Sequence, residues 1–227
     1  MIIITGASRG IGKFLFERFC KEGEIVYGTY NLTFPDTEKE EYFTKVDISC
    51  SSSVKKWIDK IKDNMTRVIL INCAGTNYNS FAHKSDIKKW IQVINVNLIG
   101  TFNVIHAFLP YMREENYGRI INFSSVVAQI GVPGTSAYAA SKAGLWGLTK
   151  SIAVENAKKG ITINNLNLGY FKIGMINDIS KELQKIIKER IPSGKFGNPE
   201  NIFMAIKFLI EADYVNGTSI DLNSGLY

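Results

Sequence analysis

The sequence predicts an α/β fold: one doubly wound parallel sheet of about seven strands, with helices on both faces, in a single domain spanning residues 1–227. Three observations carry this. Short apolar runs alternate along the chain with segments of helical period. The first run passes into a helix through a glycine-rich turn. No repeat, low-complexity tract or interdomain linker interrupts the alternation.

Ile2–Thr5 is the first strand, followed by Gly6-Ala7-Ser8-Arg9-Gly10-Ile11-Gly12 and a helix with an apolar stripe at Ile11, Phe14, Leu15 and Phe19 that ends near Gly23. In that context Gly6 permits a tight turn, Gly10 lets backbone approach a pyrophosphate, and Gly12 lets the helix pack close to the sheet. N–H groups at the helix start then face an anion. The spacing is G-x-x-x-G-x-G, so the turn by itself is weak evidence for a dinucleotide. A second strand covers 24–30 and is followed by Asn31 rather than an acid that would bind a ribose 2′-hydroxyl. Arg9 suits a 2′-phosphate instead, which points to NADP(H) over NAD(H).

Residues 32–42 are polar, contain Pro35, and leave little room for a crossover helix before the third strand at 42–46. Asp47 and Ile48 follow that strand and suit contact with an adenine ring; Asp47 is nearly as well explained as a cap for a helix over 51–64. The run 67–71 is a buried strand ending in Asn72-Cys73-Ala74-Gly75, small residues that admit a ligand. A long helical signal over 90–112 breaks near Gly100 and holds Asn95 and Asn97. Strand 118–124 then leads to Ser125, and a helix runs from Ser136 to about Lys158 with Gly160 as its stop. Strand 161–168 comes next, then a loop and an amphipathic helix over 170–195 with Ile179, Leu183, Ile186 and Ile187 on one side. That segment is either packed on the core or a mobile lid over substrate. A helix over 199–212 and a strand over 219–222 complete the chain.

Tyr138 and Lys142 lie four apart, one turn along a shared helix face. An ammonium beside a phenol favours the phenolate, so the pairing predicts a lowered Tyr138 pKa and acid–base work near neutral pH. The bland alternative is a solvated amphipathic pair. Composition narrows the function classes. The net charge of +6 is spread over helical segments without a basic stripe, which argues against nucleic acid as partner. It suits an anionic cofactor or carrier. The uncharged stretch 120–141 holds Gly131, Pro133, Gly134 and five serines or threonines, so a membrane span is not expected there. Three widely spaced cysteines form no metal or disulfide pattern, and no leader is expected before Met1, so a cytoplasmic location is predicted.

Taken together, Thr5-Gly6-x-x-x-Gly10-x-Gly12, Asp47, Asn72-x-Ala74-Gly75, Asn97, Ser125, Tyr138-x-x-x-Lys142 and Phe196-Gly-Asn-Pro-Glu200 resemble the short-chain dehydrogenase/reductase family over nearly the whole chain. Ser125 precedes Tyr138 by the family's thirteen residues. Tyr138-Ala-Ala-Ser-Lys142 and Ile191-Pro192 are most similar to the 3-oxoacyl-acyl-carrier-protein reductases. The resemblance implies a Rossmann-type sheet and ketone reduction by hydride transfer, without metal. It gives Ser125 a hydrogen bond to the carbonyl, Tyr138 the proton, and Lys142 the ribose and the Tyr138 pKa. It gives Asn97 a helix kink and a proton-relaying water. It implies cofactor contacts at Gly6, Ser8, Arg9, Gly10, Ile11, Gly12, Asn31, Asp47, Ile48, Cys73, Ala74, Gly75, Tyr138, Lys142 and Phe171, and a homotetramer or homodimer.

Four departures stand out, one being Ser224 in place of a glycine in the tail motif. Leu168 replaces a proline, Ile173 stands where a threonine would bind the nicotinamide amide, and Glu114-Glu115-Asn116 occupy the approach where a carrier protein meets basic residues. The lost threonine hydroxyl costs about 0.5–1.5 kcal/mol net. Reduction of another small carbonyl (a sugar, nucleotide-sugar or polyketide-type compound) is the alternative activity, and an inactive cofactor-binding module the alternative class.

Overall fold

A computed structural model describes residues 1–227, with the side chains of 175 and 178 outside the description. Seven strands form one parallel sheet in the order β3-β2-β1-β4-β5-β6-β7. They are β1 (Ile2–Thr5), β2 (Val26–Tyr30), β3 (Phe43–Lys45), β4 (Ile69–Asn72), β5 (Gly118–Ser125), β6 (Ile161–Leu168) and β7 (Ser219–Leu222). Strand order reverses between β1 and β4, so their carboxyl ends flank the crevice where a doubly wound sheet takes its ligand. Register brings Thr5 beside Asn72, and Asn72 beside Asn122.

Each face carries its own core. Trp57, Val104, Ile105, Phe108 and Met112 pack with Ile3, Leu70 and Ile120 under α2 (Ser51–Ile61) and α4 (Thr101–Glu115). Leu15, Phe16, Phe19, Ile202 and Phe203 pack with Ile4, Ile71 and Ile121 under α1 (Gly10–Lys21) and α8 (Pro199–Glu211). The expected stripe of α1 faces this core, with Leu15 and Phe19 buried and Ile11 and Phe14 partly buried against it, and Phe16 is buried as well. Only a 3₁₀ turn, Glu40–Tyr42, stands between β2 and β3, as the polar 32–42 segment predicts.

Local chemistry sets the boundaries. Asp86 caps α3 (Ile87–Ile94) by accepting from the N–H groups of Lys88 and Lys89. Asn198 caps α8, which begins with Pro199. Cys50 precedes α2 and gives no side-chain cap; Asp47 instead accepts from the N–H and hydroxyl of Ser49, so the capping reading of Asp47 does not hold. The break read near Gly100 is a π-helical turn, Asn95–Gly100, joining α3 to α4. The continuous run Ile87–Glu115 is long and apolar enough to span a bilayer by composition, but Val104, Ile105, Phe108 and Met112 of it are fully buried core. The uncharged stretch 120–141 is β5, a short helix α5 (Val127–Ile130) and the start of α6 (Ser136–Asn156). α6 passes through a 3₁₀ turn to Gly160, whose φ of +66° stops it. The amphipathic α7 (Lys181–Arg190) buries no residue, and Leu183 and Ile186 are exposed, whereas Phe171, Ile176 and Ile191 on either side of it are buried.

Candidate active site

Three consecutive residues of β5 meet α6. Lys142 Nζ donates to the Phe123 carbonyl at 2.6 Å. Ser124 Oγ donates to the Lys142 carbonyl at 3.0 Å. The Ser125 hydroxyl is within hydrogen-bond reach of the Tyr138 phenol and also accepts from Val127 N–H. The parallel sheet ends β5 at the first turns of α6, so an alcohol and a phenol thirteen residues apart become neighbours. Lys142 is 5 % exposed, and the solvated-pair reading of Tyr138 and Lys142 fails.

The electrostatics differ from the expectation. Burial pushes the Tyr138 phenol up to about 12, and the Ser125 hydrogen bond opposes this only in part. Burial also lowers Lys142 to about 8, against a small opposing pull from Cys73. The ammonium points at the Phe123 carbonyl and lies 5.6 Å from the Tyr138 ring centre, so desolvation outweighs the cation. A lowered Tyr138 pKa, expected from four-residue spacing, is corrected accordingly.

Asn97 is fully buried in the π turn. Its Oδ1 accepts from Thr76 N–H at 2.8 Å, and its Nδ2 donates to the Thr76 carbonyl and to Ser141 Oγ. Ser141 Oγ in turn donates to the Tyr138 carbonyl at 2.7 Å. The wider turn re-aims Asn97 between the 75–76 loop and α6, which explains an asparagine inside a helix. A Cβ on Gly75 would lie 3.3 Å from Asn97 Oδ1 and 3.7 Å from Lys142 Nζ, so the three converge on one spot.

The crevice floor is the Gly-rich turn. Gly6 and Gly10 have φ of +66° and +56°, conformations costly for other residues. A Cβ on Gly12 would sit 2.2 Å from the Gly6 carbonyl oxygen. Thr5 Oγ1 accepts from Cys73 and Ala74 N–H, and Thr29 Oγ1 accepts from Gly6 N–H. These two threonines lock the turn to its neighbours; Thr5 opens the glycine motif in the sequence, whereas Thr29 is marked there only as a hydroxyl inside a strand.

These residues fit a dinucleotide. α1 has no side-chain cap and no acid in its first turn, and it follows the glycine-rich turn, so its amino end is suited to a pyrophosphate. Ser8 is partly exposed and Arg9 and Asn31 are exposed around it. Ile11 packs beside the α1 core, and Asp47 is partly buried. Other expected contacts change character. Ile48 is buried against Gly100, so only its backbone is left for a nucleotide. Phe171 is buried with its ring against Gly197, and Ile173 packs on the same core cluster, so apolar packing replaces the expected hydroxyl. The Cys73 thiol is pushed up to about 12 by burial and accepts from Gly12 N–H. The loop after β6 crosses the turn, with Gly174 Cα 3.2 Å from where a Gly10 Cβ would be. A hollow of about 640 Å³ opens instead beside Phe34–Glu40, past the end of β2. Among the described residues no cluster of metal-ligating side chains occurs.

Residues 1–184 match the family model described as short chain dehydrogenase. The chain is 36% identical to a 3-oxoacyl-(acyl-carrier-protein) reductase of Thermotoga maritima, covering 99% of this chain and 96% of the relative. It is 34% identical to nodulation protein G of Azospirillum brasilense, again over 99% and 96%. A crystal structure of a putative gluconate dehydrogenase from Agrobacterium tumefaciens superposes with a TM-score of 0.89 over 100% of this chain and 95% of its own, at 24% identity, a likeness of fold.

Proposed function

This chain belongs to the short-chain dehydrogenase family and is an NAD(P)-dependent oxidoreductase, and from that premise we propose that it reduces a ketone to a secondary alcohol with NADPH. The observation that carries the reading is the meeting of Ser125, Tyr138 and Lys142 at the end of β5, braced by Asn97. The bound nicotinamide supplies hydride. Ser125 Oγ donates a hydrogen bond to the carbonyl oxygen and polarises it. Tyr138, neutral because its pKa is near 12, holds a proton ready for the oxygen as negative charge builds there. Lys142, with a pKa near 8, stays protonated at neutral pH and would hold the ribose hydroxyls of a bound cofactor beside the phenol. Asn97 keeps the π turn and anchors a water that returns a proton toward Lys142. Gly6, Gly10 and Gly12 bring backbone to the pyrophosphate, and Arg9 reads a 2′-phosphate.

Residues 1–227 act as one NAD(P)-binding domain whose 170–195 flap opens to admit cofactor and substrate. The setting is the cytoplasm, and the working particle is a homotetramer or homodimer packed through exposed side chains such as Phe102 and Val154. The relatives named as carrier-protein reductases support a 3-oxoacyl substrate. The exposed Glu114 and Glu115 favour a second reading, a small uncharged-carrier or free carbonyl, because an acidic carrier is repelled there. Loss of nicotinamide absorbance with carrier-bound acetoacetate and with free ketones separates the two. Turnover of the carrier-bound form alone supports the first; turnover of neither, across a carbonyl panel, refutes ketone reduction.

A further inference from the structure

A chain of hydrogen bonds runs behind the reacting groups. Trp146 Nε1 donates to both Ser124 Oγ and Asn167 Oδ1, each at 3.0 Å. Asn167 Nδ2 donates to Asp221 Oδ1 at 2.7 Å, and Gln129 Nε2 donates to the same oxygen at 2.9 Å. Ser124, Asn167 and Asp221 are direct cross-strand partners on β5, β6 and β7. The network thus joins three strands, α6 and α5, the short helix that follows Ser125.

Its direction is fixed. An indole N–H only donates and a carboxylate only accepts. Asp221 therefore claims the amide N–H₂ of Asn167 and turns its oxygen toward Trp146. Ser124, accepting from Trp146, must give its own proton to the Lys142 carbonyl, as observed. Trp146 lies one helical turn beyond Lys142, and Lys142 one turn beyond Tyr138. Through Ser124 the first turns of α6 are fastened to the residue beside Ser125. Ser124 and Asn167 are buried, and apolar residues there would satisfy burial without any partners. A polar chain that runs from these buried groups to the exposed carboxylate of Asp221 is harder to explain by packing alone.

We propose that Trp146 and Asn167, oriented by Asp221, are positioning residues that fix the helix bearing Tyr138 and Lys142 to the strand bearing Ser125. The inference rests on the reading of those three as the reacting groups. It touches neither substrate nor cofactor directly, so it acts on the spacing of the alcohol, phenol and ammonium.

The test is a variant cycle: Trp146→Phe, Asn167→Asp, Asp221→Asn, and the Asn167→Asp/Asp221→Asn exchange. Asn167→Asp sets two carboxylates face to face, while the exchange restores one donor and one acceptor. With acetoacetyl-coenzyme A as probe ketone, Trp146→Phe and Asn167→Asp are expected to lower kcat about tenfold or more, with KM and the NADPH Kd within threefold. The exchange is expected to return kcat to within threefold of the unmodified chain. Amide hydrogen exchange gives a readout free of activity: in Trp146→Phe and Asn167→Asp residues 138–146 exchange about tenfold faster, β1 and β4 are unchanged, and the double variant restores protection. If Trp146→Phe keeps kcat within twofold, or the double exchange restores Tm but neither kcat nor protection at 138–146, the positioning role is refuted. If the unmodified chain does not turn over the probe, that counts against the ketone-reductase reading, and the exchange data alone decide the positioning role.

Discussion

Adding one methyl at Gly12 tests the floor of the site. A Cβ there would stand 2.2 Å from the Gly6 carbonyl oxygen, 2.9 Å from its carbon and 3.0 Å from Ala7 Cα, all backbone. No side chain can swing away, so α1 must lift from the turn or the turn must open. Overpacking of this kind costs about 1–3 kcal/mol, and rigid neighbours on every side place Gly12→Ala near the upper end. At roughly 2–4 °C per kcal/mol for a chain of this size, Tm should fall by about 6–12 °C. The NADPH Kd, by fluorescence titration, should rise at least tenfold, because the same movement displaces N–H groups meant for the pyrophosphate. Gly144→Ala is the matched contrast. Its Cβ would meet only the tip of Leu98, at 2.8 Å from Cδ2, and alanine gains about 1 kcal/mol of helix propensity. Its net effect should stay within about 1 kcal/mol, with NADPH binding unchanged. Equal, small shifts for both variants would refute the close-packed turn.

Arg9→Ala should weaken NADPH by roughly 10–100-fold and NADH by less than threefold, the loss of a charge-assisted contact of about 1.5–3 kcal/mol; equal losses would show that Arg9 does not read the 2′-phosphate. Lys142→Met should be more stable than the unmodified chain at pH 7: a buried ammonium with its pKa lowered from 10.5 to about 8 binds fewer protons folded than unfolded between those values, so its penalty is full below pH 8 and is relieved as pH rises toward 10.5. The Tm difference between the two proteins should therefore shrink from pH 8 to 10, and a constant difference would contradict it. α7 buries no residue, so trypsin should cut first among Lys181, Lys185, Lys188 and Arg190, and saturating NADPH should slow that cut at least threefold; no protection would argue against the 170–195 flap.

Much of the fold was legible because its signals are local. Val, Ile and Leu runs mark strands buried on two faces, Pro199 and Gly160 mark helix ends, and the Gly6–Gly12 spacing marks the turn. The meeting of Ser125, Tyr138 and Lys142 was legible from Tyr138-x-x-x-Lys142 and the offset to Ser125. What stayed hidden depends on where side-chain tips go. The spacing of Tyr138 and Lys142 does not reveal that the ammonium reaches the Phe123 carbonyl, nor that burial dominates the phenol. Phe171 and Ile48 could be placed near a nucleotide by position, yet their side chains turn into the core. Asn165 and Asn167 alternate along β6, but their partners Thr149, Trp146 and Asp221 lie on other elements and appear only once the strands are in register.

The most direct test of the reading as a whole is the rate of NADPH oxidation by Tyr138→Phe beside the unmodified protein, with both shown by titration to bind cofactor equally. Removal of the phenolic proton should lower turnover by about 10²–10⁴-fold at unchanged NADPH affinity. Turnover within a few-fold of the unmodified protein would mean that Tyr138 does not carry the proton and that the chemistry lies elsewhere.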